Sequence, residues 1–161
     1  MAVNESATRM WEAFVGSGLA DAPDAKTPHT AWQFGAGRAM GDELAALVLD
    51  GRKRATAGAL WSYEHEGESV PEAGEYSVIL DGSGDACCII RTTAVEVVPF
   101  EDVTEEFAAT EGEGDGSLAY WREGHWRYFT SELAEFGRSA EPDMPVVCER
   151  FEVVWPPGAR G

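Results

Sequence analysis

The sequence is poor in residues that form disulfide or metal cross-links. It has three cysteines and three histidines among 161 residues. Cys87 and Cys88 are adjacent, and neighbouring residues of a strand point to opposite faces, so this spacing favours neither a disulfide framework nor a metal site. The histidines, His29, His65 and His125, do not stand at ligand spacing. We therefore expect free buried thiols in a reducing compartment, no metal and no cofactor.

Long apolar runs are also missing. No stretch approaches the roughly 20 apolar residues that a membrane-spanning helix needs. The start of the chain, which includes Glu5, Arg9 and Glu12, has no apolar core of the kind found in signal peptides. The length and the 44% apolar content fit one domain that can bury its own core. These features predict a cytoplasmic protein with no membrane partner.

Positive charge is scarce. Twelve lysines and arginines stand against 29 aspartates and glutamates, which gives a net charge of −17. Nucleic-acid affinity depends mainly on basic side chains that neutralise phosphates, and a field of this sign repels a polyanion. Tight nonspecific binding of RNA or DNA is therefore disfavoured. The one basic cluster is Arg52, Lys53 and Arg54.

The first third of the chain predicts two helices. Apolar residues at helical spacing predict a helix over residues 6–15, with Ser6 as its cap. Residues 20–30, which contain two prolines, predict an irregular loop. A second apolar stripe predicts a helix over residues 41–50, and Gly51 is its natural end.

The remainder predicts a sheet with inserted helices. β-branched and aromatic residues predict strands over 76–80, 86–98 and 146–155. Residues 62–69 are a polar segment, and Gly67, Pro71 and Gly74 mark a loop before the first of these strands. Helical segments are expected over 101–110 and 117–136, joined by an acidic, glycine-rich link. Helices inserted between antiparallel strands indicate an α+β domain with a small, strongly curved sheet.

Several chemical motifs are incomplete. The link 111–116 alternates glycine with acids and does not follow a strand, which disfavours a phosphate cradle. It also lacks the twelve-residue loop of a calcium site. A Gly-x-Ser-x-Gly motif is absent, which disfavours a common serine hydrolase. Most of the aromatic cluster over 120–129 is expected to pack in the core, with Trp121 and Trp126 as the pocket-lining alternative and His125 as a structural residue.

Lys53 and Thr56 are the candidate reactive pair. A lysine that is desolvated or held near other cations, here Arg52 and Arg54, loses its proton more readily and can act as a general base. Such a base can activate a threonine hydroxyl for attack on a carbonyl. On a regular strand, residues 53 and 56 would point to opposite faces, so their convergence requires a bend. On chemistry alone, surface charge is the commoner explanation of such a lysine.

An ordered series of motifs resembles the ASCH family. The series comprises Asp42-Glu43-Leu44, Gly51-x-Lys53-x-Ala55-Thr56, Leu60-Trp61-x-Tyr63-Glu64, Gly74-x-Tyr76-Ser77-Val78, Ile90-Arg91-Thr92-Thr93, the run from Glu111 to Trp121, and Cys148-Glu149-Arg150-Phe151. The likeness covers about Trp32 to Trp155. It is greatest to the larger bacterial members described as predicted RNA-binding, and more distant to the N(4)-acetylcytidine amidohydrolases.

The resemblance implies a fold and a division of the chain. The fold is a small PUA-like antiparallel β-barrel with surrounding helices. Residues 1–31 would form an N-terminal helix and loop packed on the domain, residues 32–156 the ASCH domain, and residues 157–161 a tail.

The resemblance also implies a site. In the amidohydrolases, a lysine and a threonine of the Gly-x-Lys-x-x-Thr motif act with a later glutamate, which matches Lys53, Thr56 and Glu111, with Glu113 as an alternative to Glu111. The substrate-binding candidates are Arg52, Arg54, Tyr63, Ser117 and Trp121.

The hypothesis is that Lys53 deprotonates Thr56, the alkoxide attacks an amide or acyl carbon, and Glu111 passes a proton to the leaving amine. The negative charge favours a small nucleoside or RNA-derived ligand over polymeric RNA. Two alternatives remain open. An RNA-binding module or ribonuclease predicts a contiguous basic face, and a noncatalytic interaction domain predicts a closed pocket or a surface ion pair at Lys53.

Overall fold

A computed structural model describes residues 4–157 of the chain. It contains five α-helices and five strands in this part of the chain. The helices are α1 (Glu5–Val15), α2 (Arg38–Leu49), α3 (Leu60–Glu66), α4 (Glu105–Glu111) and α5 (Leu118–Ala134), with a short 3-10 helix at Phe100–Asp102. The strands are β1 (His29–Gln33), β2 (Ala55–Ala59), β3 (Tyr76–Leu80), β4 (Ala86–Pro99) and β5 (Pro145–Trp155). The predicted tail lies outside the described residues apart from Pro157.

The five strands form one sheet in the order β1-β3-β4-β5-β2, curled into a half-barrel. β4 is the central strand, because β3 pairs with its first half and β5 with most of its length. Register shifts between Ile89 and Ile90 and between Thr92 and Ala94 accompany the bend of this long strand. The α+β class with a small curved sheet is confirmed.

The sheet differs from the prediction at one edge. β1 pairs parallel to β3, whereas the other pairings are antiparallel. The sequence had predicted a loop at His29 and Thr30. β1 is only five residues long and largely exposed, so its sequence has no alternating apolar pattern that would predict a strand. Among residues 4–157, β1 and β2 each have one neighbouring strand, so the half-barrel formed by these residues has two free edges.

Three clusters of apolar side chains hold the helices on the sheet. α1 covers β3 and β4 through Trp11 and Phe14, which pack with Val78 and Ile89. α2 contributes Leu44 and Val48 to a second cluster with Phe34, Ile79 and Phe151. α4 and α5 close the other side around Phe107, Trp121, Phe129 and Leu133. Burial of these surfaces is the main force that fixes the helices in place.

Local differences from the sequence reading have identifiable causes. Asn4, not Ser6, caps α1, because its side chain accepts the amide of Ala7. The Ser6 hydroxyl instead accepts the amide of Ala86. The polar segment over residues 62–69, which had no assigned secondary structure, begins within helix α3. Ser62 turns inward there and donates to Glu132 at 2.6 Å. Between residues 4 and 157, no helix is both long and apolar enough to cross a membrane.

Candidate active site

Lys53 lies in the short connection between α2 and β2. Gly51 takes a positive φ of 87° after α2, and the amides of Arg52 and Lys53 both donate to the carbonyl of Leu47. This turn directs the Lys53 side chain into the protein, where it is 1% exposed. The connection supplies the bend that the Lys53 and Thr56 pairing requires.

Three acceptors surround the Lys53 ammonium. Its Nζ atom donates to the carbonyl oxygen of Ala55 at 2.9 Å, to Glu111 Oε2 at 3.1 Å and to Glu113 Oε2 at 2.7 Å. An ammonium has three N–H donors, so the group is fully used. The buried lysine is therefore held in one position.

The end of α4 delivers the two glutamates. Arg54 donates its backbone amide to the carbonyl of Thr110, which joins the end of α4 to the connection that carries Lys53. Gly112 follows with a φ of 69°, and a Cβ atom there would collide with the carbonyl of Arg52. Only glycine fits both the conformation and the close approach. Glu111 ends the helix on one side of this contact, and Glu113 follows on the other.

Glu111 is also held by α5. Trp121 donates its indole N–H to Glu111 Oε1 at 2.6 Å, and His125 Nε2 lies 3.2 Å from Glu111 Oε2. The rings of Trp121 and His125 stack with their centroids 4.1 Å apart. Residues four apart lie on one face of a helix, which places both rings against the same carboxylate. Glu111 is thus buried and held from two sides, by Lys53 of the α2–β2 connection and by two residues of α5.

These contacts shift the pKa values of Lys53, Glu111 and Glu113. Burial lowers the pKa of Lys53, but Glu111 and Glu113 together raise it by more, so it lies above the usual value. Burial raises the pKa of Glu111, but Lys53 and His125 outweigh this effect and the pKa is lowered. Burial and the charge of Glu111 raise the pKa of Glu113. At neutral pH, Lys53 carries its proton, and Glu113 takes up a proton more readily than Glu111.

Lys53 lines a cavity of about 420 Å³, which we call the lysine cavity. Thr56, Glu111, Glu113 and His125 line it as well. Much of its remaining wall is apolar or aromatic, and Arg127 and Ser131 add polar groups. The apolar and aromatic residues include Phe34, Met40, Leu44, Tyr120 and Tyr128. The geometry therefore brings together the three residues of the proposed catalytic set and the alternative glutamate.

The other candidates lie elsewhere. The side chain of Arg52 is 69% exposed and pairs with Asp50 at 3.2 Å, and Arg54 is exposed. Neither lies in the lining of the lysine cavity. Ser117 caps α5 by accepting the amide of Tyr120. Trp121 is 3% exposed and holds Glu111.

The expected environment of Lys53 needs correction, and His125 has a position that the sequence did not indicate. Lys53 was expected to lose its proton because of cationic neighbours, but its buried neighbours are carboxylates. His125 was favoured as a satisfied structural residue, and both of its ring nitrogens have partners, the Trp121 carbonyl and Glu111. It also lines the lysine cavity. The signal that could have identified it is its position four residues after Trp121, on the same face of α5.

The donor atoms of Glu111, Glu113 and His125 lie within 4.8 Å of one another, close enough to hold a metal ion. Lys53 Nζ bonds to both carboxylates and so takes the place of a cation there. A divalent ion would have to displace a buried ammonium. The absence of a metal stays a prediction.

A second cavity of about 550 Å³ lies between the free edges of the sheet, and we call it the edge cavity. Residues of both edge strands, β1 and β2, line it together with residues of β3 and β5, and Tyr63 contributes from α3. It shares part of its lining with the lysine cavity, namely Phe34, Gly35, Thr56, Ala57 and Tyr128. Tyr63, a candidate for substrate binding, therefore lies beside the lysine cavity rather than in it.

Trp121→Phe is expected to destabilise the protein by about 1–3 kcal/mol, because it leaves one oxygen of the buried Glu111 carboxylate without its donor. Thermal unfolding measures the effect. Trp126→Phe is the matched control, since Trp126 lies on the same helix but is 37% exposed. Equal melting temperatures for the two variants would contradict the importance of the indole hydrogen bond.

Glu149→Gln is expected to stabilise the protein at neutral pH. Glu149 is 4% exposed, and burial raises its pKa above the usual value. A carboxyl whose pKa is raised in the folded state loses stability as pH rises from the unfolded pKa through the folded one. The stability difference between variant and wild type should therefore grow between pH 4 and pH 8. Denaturant unfolding at several pH values measures it, and a constant difference would contradict it.

Comparisons with known proteins agree on one family. A family model described as ASCH domain matches residues 30–155. An ASCH domain structure from Lactobacillus crispatus is 35% identical with a TM-score of 0.86, covering 92% of this chain and 94% of the other. Protein EF3133 from Enterococcus faecalis is 40% identical with a TM-score of 0.81, covering 94% and 90%. No curated protein gives a significant match.

Proposed function

Because the chain belongs to the ASCH domain family, we propose that it is a hydrolase that cleaves an amide or acyl bond of a modified nucleoside, such as N(4)-acetylcytidine. The observation that carries the proposal is the fully buried Lys53 ammonium, held by Glu111 and Glu113 in a cavity that Thr56 also lines. The mechanism proposed below gives each of these four side chains a role.

The burial of Lys53 supports a chemical role over a structural one. Taking a lysine and two carboxylates out of water costs several kcal/mol per ion, and apolar residues of similar size often serve stability equally well. Strongly perturbed ionisable groups that line an open cavity are typical of active sites. A noncatalytic domain would have its ion pair on the surface or its pocket closed, and neither describes Lys53.

The mechanism begins with a proton transfer inside the ion pair. Glu113 Oε2 lies 2.7 Å from Lys53 Nζ and has the more readily protonated carboxylate. Transfer of a proton from Lys53 to Glu113 leaves a neutral amine and a neutral acid, and exclusion of water by a substrate favours both neutral forms. The Lys53 amine then accepts the proton of Thr56.

In the remaining steps, Lys53 and Glu113 regain their starting protonation states. The Thr56 oxygen attacks the acyl carbon, and the Lys53 ammonium stabilises the oxyanion that forms. The carbon–nitrogen bond breaks as Glu113 protonates the leaving amine, which leaves an acyl ester on Thr56. Water then hydrolyses this ester. In this scheme Glu111 positions Lys53 and His125. Glu113 protonates the leaving amine, a role that the sequence hypothesis gave to Glu111.

Binding of polymeric RNA is less well supported. A ribonuclease or RNA-binding module requires a continuous basic face around Arg52, Lys53, Arg54 and Arg91. Lys53 is buried, Arg52 pairs with Asp50, and Arg91 lies 3.9 Å from Glu152. These basic residues therefore do not combine into such a face.

A deacylation assay tests the proposed function. Purified protein is incubated with N(4)-acetylcytidine and related N(4)-acyl cytidines, and release of cytidine is followed by chromatography. Turnover by the wild type is expected. No turnover of any acylated nucleoside, together with RNA binding that weakens steeply with salt, would replace this function with the RNA-binding alternative.

Glu113→Gln is expected to lower kcat by about 10²–10³-fold, because glutamine cannot carry the proton between Lys53 and the leaving amine. KM should change less, since the shape of the cavity is kept. Steady-state kinetics on N(4)-acetylcytidine measures both. Glu123→Gln, on the exposed surface of α5, is the control. An unchanged kcat in Glu113→Gln would mean that Glu111, and not Glu113, protonates the leaving amine.

A further inference from the structure

The lining of the edge cavity is strongly acidic. Five glutamates contribute to it, Glu66, Glu68, Glu75, Glu132 and Glu149, and no lysine or arginine does. The effect is visible at Tyr63, where burial and then the charges of Glu149, Glu68 and Glu132 raise the pKa to about 12. A ligand group that carries phosphate or carboxylate would be repelled from this space.

Glu149 provides an independent indication of a ligand. Its carboxylate lines the edge cavity although the residue is only 4% exposed. Among residues 4–157, its hydrogen-bond partner is the Thr92 hydroxyl, which donates to Oε2 at 2.6 Å. The other oxygen has no donor from these residues. This oxygen is open to the edge cavity rather than sealed in the interior, so it can accept a hydrogen bond from an N–H or O–H donor of a ligand there.

Thr56 connects the two cavities. It lines both of them, so an acyl carbon attacked by its hydroxyl would lie where they meet. The lysine cavity offers an apolar wall of Phe34, Met40 and Leu44, which suits an acyl chain. The edge cavity offers carboxylates, which suit a group rich in hydrogen-bond donors.

We propose that the edge cavity binds the half of the substrate that is released as the amine, with the free Glu149 oxygen accepting a hydrogen bond from it. This inference rests on the proposed function and narrows its substrate class. The amine half is uncharged or cationic, carries N–H or O–H donors, and bears no phosphate. The substrate is then an acylated nucleoside or amine rather than a nucleotide.

The release step is consistent with this placement. When the carbon–nitrogen bond breaks, the acyl group stays on Thr56 in the lysine cavity, and the nitrogen takes its proton from Glu113. The amine is left in the edge cavity, where carboxylates stabilise N–H donors and any positive charge. Its departure frees the junction for the water that hydrolyses the ester.

Isothermal titration calorimetry with product-like probes tests the proposal without requiring turnover. The probes are cytidine, the cationic amine agmatine, and cytidine 5′-monophosphate. Cytidine or agmatine is expected to bind, with cytidine 5′-monophosphate at least about tenfold weaker than cytidine. Glu149→Gln should weaken the bound probe at least tenfold. Glu152→Gln, an exposed residue of the same strand, should not.

The outcomes separate this proposal from the proposed function. One outcome is that a probe binds in a Glu149-dependent way but no acyl nucleoside is hydrolysed. This result would support the binding site and contradict the proposed hydrolase function. For an active protein, Glu149→Gln should raise KM about tenfold with kcat within twofold of wild type. An unchanged KM, equal affinity for cytidine 5′-monophosphate, or no binding of cytidine and agmatine would overturn the proposal.

Discussion

Lys53→Met is expected to abolish turnover and also to destabilise the fold. Methionine removes the proton carrier and the charge that stabilises the oxyanion, so hydrolysis should fall by about 10⁴-fold or more. It also leaves the buried Glu111 and the adjoining Glu113 without their cation, which typically costs about 3–5 kcal/mol. Chemical denaturation and the deacylation assay measure the two effects separately.

A compensating variant separates stability from catalysis. Lys53→Met combined with Glu113→Gln removes one of the two unpaired charges and should regain part of the lost stability, while turnover stays absent. Lys26→Met is the matched control, because Lys26 is the other lysine of the chain and is exposed. Full activity of Lys53→Met would refute the site, whatever its stability.

Thr56→Ala is expected to reduce turnover by about 10⁴-fold or more, since no acyl ester can form on alanine. Stability should change by less than about 1 kcal/mol, because Thr56 is half-buried on β2 and the substitution removes little packing. Activity and unfolding are measured on the same preparation. The small stability change distinguishes this variant from Lys53→Met.

Thr56→Ser provides the decisive comparison. Serine keeps the hydroxyl and should retain activity within about tenfold of wild type, whereas Thr56→Val keeps the shape and should be as inactive as Thr56→Ala. Mass spectrometry of wild type mixed with substrate should reveal a transient acyl adduct on the peptide that contains Thr56. Comparable turnover by Thr56→Val and wild type would show that water attacks directly.

The helices and long strands were predictable because their signals are local. The strand at 76–80 has its predicted bounds, and Gly51 ends α2 at the predicted position. β1 and α3 were missed for a shared reason. Each is short, and each is stabilised by distant partners, β3 for the strand and Glu132 for Ser62 in the helix. Tertiary contacts of this kind leave no periodic pattern in the sequence.

The candidate site shows the same limit. The Gly-x-Lys-x-x-Thr motif identified Lys53 and Thr56, and the resemblance identified Glu111 with Glu113 as its alternative. The charge environment of Lys53 was misjudged, because its sequence neighbours are arginines while its spatial neighbours are carboxylates 58 and 60 residues away. His125 depends on the packing of α5 against α4. Such pairings are set by the fold and are not visible in the linear order.

The two free sheet edges have a consequence for how copies of the chain behave in concentrated solution. Unpaired strands are templates for edge-to-edge association and aggregation. Here β1 and β2 are only five residues each and both border the edge cavity, which is ringed by glutamates. A second chain adding a strand would have to bring its own negative charge, from a total of −17, against these carboxylates. The acidic lining therefore also opposes edge-to-edge association of the half-barrel.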